Sequence, residues 1–181
     1  MRIEDATDDD LPAVVAIYNQ VLLTSTAIYR EEPATIEERQ AWNDTRKKNG
    51  YPLLVARTDD APVAGFATFG DFRAWPGYRF TVEHSVHVRA NGRGQGVGTL
   101  LVQALLPRAA ALGKHVMMAG VDADNAASIR FHERLGFERR AACARSVTSS
   151  AAGSIWYSCS AGSDTGSIRA CSPTFRPPRG R

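Results

Sequence analysis

Apolar residues recur along the first 138 residues with two periods, one typical of helices and one typical of strands. A capping box at Thr35–Glu38 marks one helix start, while Gly113 and Gly136 mark two helix ends. The pattern predicts strand 2–6, helices 11–22 and 35–48, strands 53–57, 62–69 and 80–89, helix 98–112, strand 114–121 and helix 126–135. The two strands on either side of helix 98–112 are expected to run parallel, because a helix crosses between them.

The segment from Phe80 to Gly98 has the pattern of a strand, a glycine-rich loop and a helix start. Its last three glycines, Gly94, Gly96 and Gly98, allow the backbone to approach a ligand closely, and Arg93 adds positive charge. Free N–H groups at the start of the helix point into the same loop, which predicts an anion site suited to a pyrophosphate. The spacing matches neither a P-loop nor a dinucleotide-binding loop. A plain glycine-rich turn is the alternative.

Length and composition favour one soluble domain. The chain has 181 residues, 44% of them apolar, and no long uncharged apolar run. Because the first residues form no apolar signal core, a cytoplasmic location is expected, and no membrane partner.

The net charge of +3 conceals a change in composition near residue 139. Residues 1–138 carry 15 Lys and Arg against 18 Asp and Glu, whereas residues 139–181 carry seven Arg, no Lys and a single acidic residue. This basic tail lacks regularly interleaved aromatic residues, so nucleic acid is not an expected partner. The three cysteines, all in the tail, match no zinc pattern and give no even disulfide count, so no metal is expected either.

Three motifs together resemble a known enzyme family. Arg93-Gly-Gln-Gly-Val-Gly98 matches the Gln/Arg-x-x-Gly-x-Gly acetyl-CoA loop of the GNAT N-acetyltransferases, and Asn125–Phe137 matches the helix after that family's fifth strand. Tyr78–Val86 resembles the phosphinothricin/methionine sulfoximine acetyltransferase subgroup. The resemblance covers about residues 1–138 and implies an α/β GNAT fold, in which helices flank a mixed central β-sheet. It also implies acetyl-CoA as cosubstrate and direct transfer of acetyl, within a ternary complex, to the primary amine of a small amino-acid analogue.

The resemblance suggests two catalytic residues. An ammonium group must lose a proton before it attacks a thioester, and the subgroup places the base at Glu83. A carboxylate paired with Arg79 or His84 is the alternative reading of Glu83. His132 stands where many GNAT enzymes have a tyrosine that protonates the departing thiolate, although a satisfied, partly buried histidine is the favoured interpretation of the sequence.

The remaining expected site residues bind the two substrates. Arg73 and Tyr78 are candidate anchors for the oxyanions of an amino-acid analogue, with an exposed loop arginine as the alternative. Asn125 is expected to hydrogen-bond acetyl-CoA, to cap a helix, or both. The residues expected to bind acetyl-CoA are Val86, His87, Val88, Arg93, Gly94, Gln95, Gly96, Val97, Gly98, Asn125 and Ser128.

The GNAT fold needs two further strands after Phe137, and the tail shows no pattern that supplies them. Read in a shifted frame, the codons of residues 142–160 can encode Leu-Arg-Glu-Val-Gly-Asp-Lys-Phe-Gly-Arg-Trp-Leu-Asp-Leu-Val-Phe-Leu-Gln, which resembles the subgroup's C-terminal β-hairpin. We therefore interpret residues 139–181 as an aberrant, disordered tail from a frameshift, in the gene or in its sequencing, that replaces the hairpin. Residues 1–138 are then the acetyltransferase domain.

Two alternatives to the main functional prediction are open. The enzyme could acetylate another amine, such as a peptide N-terminus or a polyamine, or the chain could be an inactive protein that still binds acetyl-CoA. Resemblance to the subgroup also suggests a homodimer.

Overall fold

The computed structural model describes residues 1–143, 154–161 and 168–169. Its helices are α1 (Leu11–Thr24), α2 (Ile36–Lys48), α3 (Val97–Ala111) and α4 (Ala126–Arg134). Its strands are β1 (Arg2–Asp5), β2 (Leu53–Thr58), β3 (Ala61–Asp71), β4 (Thr81–Val88), β5 (Val116–Asp122), β6 (Glu138–Cys143), β7 (Ser154–Ala161) and β8 (Ile168–Arg169). From β1 to α4 the order of elements is the one that the sequence pattern predicts.

The strands form one mixed sheet in the order β1-β2-β3-β4-β5-β7-β6, with β8 paired to β7. The pairing of β4 with β5 is parallel, as expected from the helix that connects them. The other described pairings are antiparallel. The predicted mixed sheet flanked by helices is thereby confirmed.

Two apolar cores lie on opposite faces of this sheet. One packs α3 and α4 against the sheet and contains Leu101, Leu105 and Met117. The other packs α1 against the opposite face and contains Leu11, Val14, Ile17 and Phe66, with Trp42 of α2 beside them. Side chains alternate between the faces of a strand, so each residue of β4 can be assigned to one of the two sides.

The turn before α1 is held by hydrogen bonds to the Asp10 carboxylate. Both the backbone N–H and the hydroxyl of Thr7 donate to the Asp10 carboxylate, at 2.8 and 3.0 Å. The same carboxylate accepts two hydrogen bonds from Arg57 of β2, at 2.9 and 3.0 Å, and Arg57 also donates to Glu4. The start of α1 is therefore fixed to β2 by a buried acidic residue.

The tail showed no sequence pattern for strands after Phe137, yet its described residues include β6 and β7, which belong to the sheet. Backbone pairing joins β5 to β7 from Val116↔Ser160 to Asp122↔Ser154, and β6 pairs with the other side of β7. The sequence of β7 includes Ile155, Trp156 and Tyr157, which are residue types enriched in strands. The expected disorder of residues 144–153, 162–167 and 170–181 lies outside the described residues, and the division at residue 138 stays a prediction.

Candidate active site

A gap opens in the sheet where β4 and β5 separate. Their parallel pairing runs only from Thr81↔Val116 to Glu83↔Met118. Beyond that point, among the described strands, β4 pairs only with β3, up to Val88↔Gly65, and β5 pairs only with β7. The facing backbone edges in the gap can hydrogen-bond an extended ligand laid between the strands, as a new strand would.

The glycine-rich loop and the start of α3 stand at the wide end of this gap. Gly94 and Gly96 have left-handed backbone conformations, with φ of +78° and +81°, and open space where a side chain would lie. Gly96 immediately precedes α3, whose first N–H groups have no intrahelical partner. The side chain of Gln95 donates to Asn91 O at 2.9 Å, so Gln95 faces a ligand through its backbone. The geometry fits the predicted anion site.

Glu83 lies at the narrow end of the gap, because it is the last residue of β4 that pairs with β5. Its neighbours Val82 and His84 are buried, and Val82 belongs to the core beneath α3. Glu83 therefore projects from the face that α1 covers, together with Ser85 and His87. Burial raises the pKa of Glu83 above its ordinary value, and the positive charge of Arg73 opposes that shift. A half-buried carboxylate with a raised pKa beside a ligand-sized gap is a candidate base.

Arg73 and Tyr78, the predicted substrate anchors, lie in the connection between β3 and β4. The Arg73 guanidinium lies over the ring of Phe72, 4.4 Å from its centroid. Tyr78 contacts the same ring edge-on at 5.8 Å and is 45% exposed. The two residues thus share Phe72 as a support, and the electrostatic effect of Arg73 reaches Glu83.

Two further arginines lie on the Glu83 face of the sheet, on α2. Arg39 stacks on Tyr18, with its guanidinium carbon 3.5 Å from the ring centroid, and Arg46 stacks on Trp42 at 4.3 Å. Arg46 also donates to Phe69 O and lies over Gly70, the residue of β3 that pairs with Glu83. Burial, and then the charge of Arg39, lower the pKa of Arg46 to about 10. This face of the sheet is consequently cationic.

His132 lies on the other face of the sheet. Its Nδ1 is 2.8 Å from the carbonyl of Ser128, so in the neutral ring Nδ1 carries the proton and Nε2 is an acceptor. Burial lowers the pKa of His132, which favours this neutral form. The His132 ring packs 5.2 Å from the ring of His84 and 5.4 Å from that of Phe137. This environment is that of a packed, hydrogen-bonded histidine.

The turn between β5 and α4 places Asn125 and Ser128 near the carboxyl end of β5. The Asn125 side chain accepts the backbone N–H of Ser128 at 3.0 Å, which confirms the predicted helix cap. The preceding Asp122 accepts the N–H of Asp124 at 2.8 Å. The turn is therefore fixed by its own side chains on the gap's β5 side.

Sequence reasoning missed five residues on the Glu83 face: Tyr18, Tyr29, Arg39, Arg46 and Asp122. Each of them lies far along the chain from the glycine-rich loop, and no local motif contains them. The only available signal was polarity, since Asp122 ends an otherwise apolar strand.

Within the described residues, no group of three or more His, Cys, Asp or Glu side chains is arranged to hold a metal ion. None of the helices in this part of the chain is long and apolar enough to span a membrane.

Comparison with known proteins identifies the motifs. Residues 14–137 match the model of the acetyltransferase (GNAT) family. An L-methionine sulfoximine/L-methionine sulfone acetyltransferase of Pseudomonas aeruginosa is 52% identical over 136 residues, which cover 75% of this chain and 79% of that protein.

Two solved structures extend the comparison to the fold. A GNAT superfamily phosphinothricin acetyltransferase from Sinorhizobium meliloti, in complex with acetyl-CoA, is 31% identical with a TM-score of 0.85 and covers 96% of this chain and 92% of its own. A ribosomal-protein-alanine N-acetyltransferase from Brucella melitensis is 35% identical with a TM-score of 0.85, covering 89% of this chain and 100% of its own.

Proposed function

This chain belongs to the GNAT family of acetyltransferases, and we propose that it acetylates the primary amine of a small amino-acid analogue of the methionine sulfoximine or phosphinothricin type. One observation carries the proposal: Glu83, a half-buried carboxylate, lies where β4 and β5 separate. That position brings a base to the gap in which the family's cosubstrate, acetyl-CoA, can lie extended. The printed activities of the Pseudomonas and Sinorhizobium relatives supply the substrate class.

In the proposed reaction Glu83 accepts a proton from the substrate ammonium, directly or through a water molecule. The freed amine nitrogen attacks the thioester carbonyl carbon, a C–N bond forms and the C–S bond breaks. The nitrogen, now bonded to the acetyl carbon, gives up a second proton, which the sulfur takes up, and Glu83 releases its proton to solvent. The products are the N-acetyl compound and CoA. The raised pKa of Glu83 brings its basicity closer to that of the amine, which favours proton transfer.

The acetyl-CoA site is assigned to the glycine-rich loop and the two edges of the gap. The backbone of Arg93, Gly94, Gln95, Gly96, Val97 and Gly98 binds the pyrophosphate, assisted by the free N–H groups of α3. The β4 edge at Val86, His87 and Val88 binds the extended arm, with Asn125 and Ser128 on the β5 side. The His87 side chain points to the face of the sheet that α1 covers, where its ring packs 5.1 Å from that of Phe66. Only the backbone of His87 therefore binds the extended arm.

The surroundings of His132 do not favour its predicted role as proton donor to the thiolate. Its only ring proton in the neutral form is held by the Ser128 carbonyl, and burial disfavours the charged form. The geometry therefore supports a structural role for His132 beside the gap. Arg73 and Tyr78 are retained as anchors for the carboxylate and the second polar group of the substrate.

The cationic face formed by Arg39, Arg46 and Arg73 supports an acceptor that carries negative charge. A polyamine has only positive charges, which these guanidinium groups repel. A peptide N-terminus remains as a second candidate, because the Brucella structure carries a ribosomal-protein-alanine activity in its name. A peptide chain must leave the pocket through an opening that a free amino acid does not need.

One assay separates these functions. Consumption of acetyl-CoA is measured with methionine sulfoximine, phosphinothricin, a polyamine and alanine-starting peptides, and CoA binding is measured by calorimetry. Turnover with the two amino-acid analogues supports the proposal, whereas turnover with peptides alone overturns its substrate class. Binding of CoA without any turnover identifies an inactive acetyl-CoA-binding protein.

The pH dependence of kcat gives a test of the base. Only ionised Glu83 can accept a proton, so kcat rises with pH through the pKa of Glu83. This acidic limb of the pH profile is expected at a pH above 4.5, the ordinary pKa of a glutamate carboxyl. With saturating substrates, the limb is expected at the same pH for two amines of different basicity. If the pH of this limb changes with the pKa of the amine instead, the titrating group is the substrate, and the role of Glu83 as base is contradicted.

Replacement of Gly96 by alanine tests the loop. A left-handed backbone costs alanine about 1 kcal/mol, and relief of this strain moves the loop at the start of α3. We expect the KM for acetyl-CoA to rise by about threefold to tenfold, since 1.4 kcal/mol corresponds to a factor of ten. Gly113→Ala is the matched control, because Gly113 has φ of +69° and open surroundings at the other end of α3. An equal rise in KM for both variants would refute a ligand-binding role of the loop.

We also propose that residues 1–138 form the catalytic domain, that residues 139–181 derive from a shifted reading frame, and that the protein is a cytoplasmic homodimer. The change from 18 acidic residues before position 139 to one after it supports the frameshift. Resequencing the gene across codons 139–142 tests it directly. A reading frame that agrees with close relatives through this region removes the proposal.

A further inference from the structure

A hydrogen bond joins the loop between α1 and α2 to the carboxyl end of β5. The hydroxyl of Tyr29 donates to Oδ2 of Asp122 at 3.2 Å, across 93 residues of sequence. Asp122 is only 3% exposed, although Tyr29 itself is 44% exposed. The bond therefore ends on a fixed acceptor inside the protein rather than on another surface side chain.

The second half of the same loop is held to both neighbouring helices. The side-chain amide of Asn19, on α1, donates to Ala34 O at 2.9 Å and accepts from Ala34 N at 2.8 Å. Arg30 donates to both carboxylate oxygens of Glu38, on α2, at 3.0 Å each. These contacts hold the loop to α1 and α2, and the Tyr29 hydroxyl ties it to the sheet.

The path of the loop crosses the gap between β4 and β5. On α1, Tyr18 packs edge-on against His87 of β4, with ring centroids 5.9 Å apart. Eleven residues later, Tyr29 reaches Asp122 of β5. Val121 is buried in the core beneath α3, so Asp122 projects from the opposite face, which is also the face of Glu83. The segment between Tyr18 and Tyr29 thus lies over the gap on the side of the candidate base.

We propose that Tyr29 is a positioning residue, which holds the 25–34 loop as one wall of the pocket for the acceptor amine. This inference rests on the proposed function, because it assigns the amine to the Glu83 face. Oδ1 of Asp122 accepts the N–H of Asp124 in the turn that leads to Asn125, so the tether and the turn before α4 share the Asp122 side chain. Tyr29 acts on the amine through the loop and need not touch the reacting atoms.

Tyr29→Phe tests the proposal, because it removes the hydroxyl and keeps the ring. Loss of one hydrogen bond to a charged group is expected to raise the KM for the amine by about five- to tenfold, with kcat and the KM for acetyl-CoA within about twofold of wild type. Hydrogen exchange of the amides of residues 26–33 is expected to accelerate in the free protein. Tyr51→Phe is the matched control, since it also removes a tyrosine hydroxyl that is bonded to an aspartate, Asp71. The Tyr51 ring packs against the core on the other face of the sheet.

A selective rise in the KM for the amine, absent from Tyr51→Phe, supports the role of Tyr29. Unchanged kinetics, or equal increases in both KM values, overturn it. Failure of the wild-type protein to acetylate any amine is a failure of the proposed function instead. In that case the exchange rates decide, and unchanged exchange at 26–33 rejects the tether.

Discussion

Replacing Glu83 with glutamine is expected to lower kcat for the amine substrate by about 10²–10⁴-fold, the range that general-base catalysis contributes. Glutamine keeps the size and the acceptor oxygen of the side chain but cannot take up a proton at neutral pH. The loss is expected in kcat rather than in the KM for acetyl-CoA, because Glu83 lies at the narrow end of the gap, away from the pyrophosphate loop. Steady-state kinetics with each substrate varied in turn measure both effects.

The pH profile sharpens this prediction. The residual activity of Glu83→Gln should lack the acidic limb of kcat that the wild type shows, since the titrating group is gone. Calorimetry with CoA should give the affinity of the wild type, which shows that the fold and the cosubstrate site are intact. Glu37→Gln, which neutralises an exposed carboxylate on α2, serves as the control. If Glu83→Gln keeps the kcat of the wild type, Glu83 is a structural carboxylate and not the base.

Local sequence patterns predicted the fold because each helix and strand carries its own period and its own end signals. Thr35 shows this, as its hydroxyl accepts the N–H of Glu38 and starts α2 where the capping box placed it. The anchor of the turn before α1 could not be found in the same way. The acceptor in that turn, Asp10, is held by Arg57 from 47 residues away, and no short window of sequence contains both partners.

The candidate site likewise has features that local sequence predicts and features that depend on tertiary structure. Glu83 and the glycine-rich loop lie within 16 residues of one another and were predicted together. The gap between β4 and β5, which joins them functionally, depends on where strand pairing stops, and that is decided by the whole sheet. The contact of Tyr29 with Asp122 also depends on tertiary packing. In the same way, β7 is recognised from its pairing with β5 and not from its sequence pattern. The unpaired backbone edge of β5 can accept another strand.

Gly65 helps to fix the position of the glycine-rich loop relative to the gap. This residue of β3 pairs with Val88, the last residue of β4, and faces the start of α3. A Cβ atom at Gly65 would lie 2.8 Å from the His87 carbonyl oxygen and 3.2 Å from side-chain atoms of both Val88 and Val97. The absence of a side chain therefore allows β3, β4 and α3 to meet at one point.

Gly65→Ala is expected to destabilise the protein by about 1–3 kcal/mol, the cost typical of overpacking a close-packed site. The obstructing atom at 2.8 Å is a backbone oxygen, which cannot move without shifting β4. Because β4 leads directly into the glycine-rich loop, the KM for acetyl-CoA should rise as well. Denaturant unfolding of the wild type and the variant measures the first effect, and kinetics measure the second.

Gly77→Ala provides the comparison, since a Cβ at Gly77 would meet nothing within 4 Å. Its free energy of unfolding should stay within about 0.5 kcal/mol of wild type, as for surface substitutions in general. If Gly65→Ala is as stable as Gly77→Ala, the β3–β4–α3 junction is looser than the distances indicate. The pyrophosphate loop must then derive its position from the 3₁₀ turn at Ala90–Gly92, where Gly92 N–H donates to Arg89 O at 3.0 Å, rather than from strand packing.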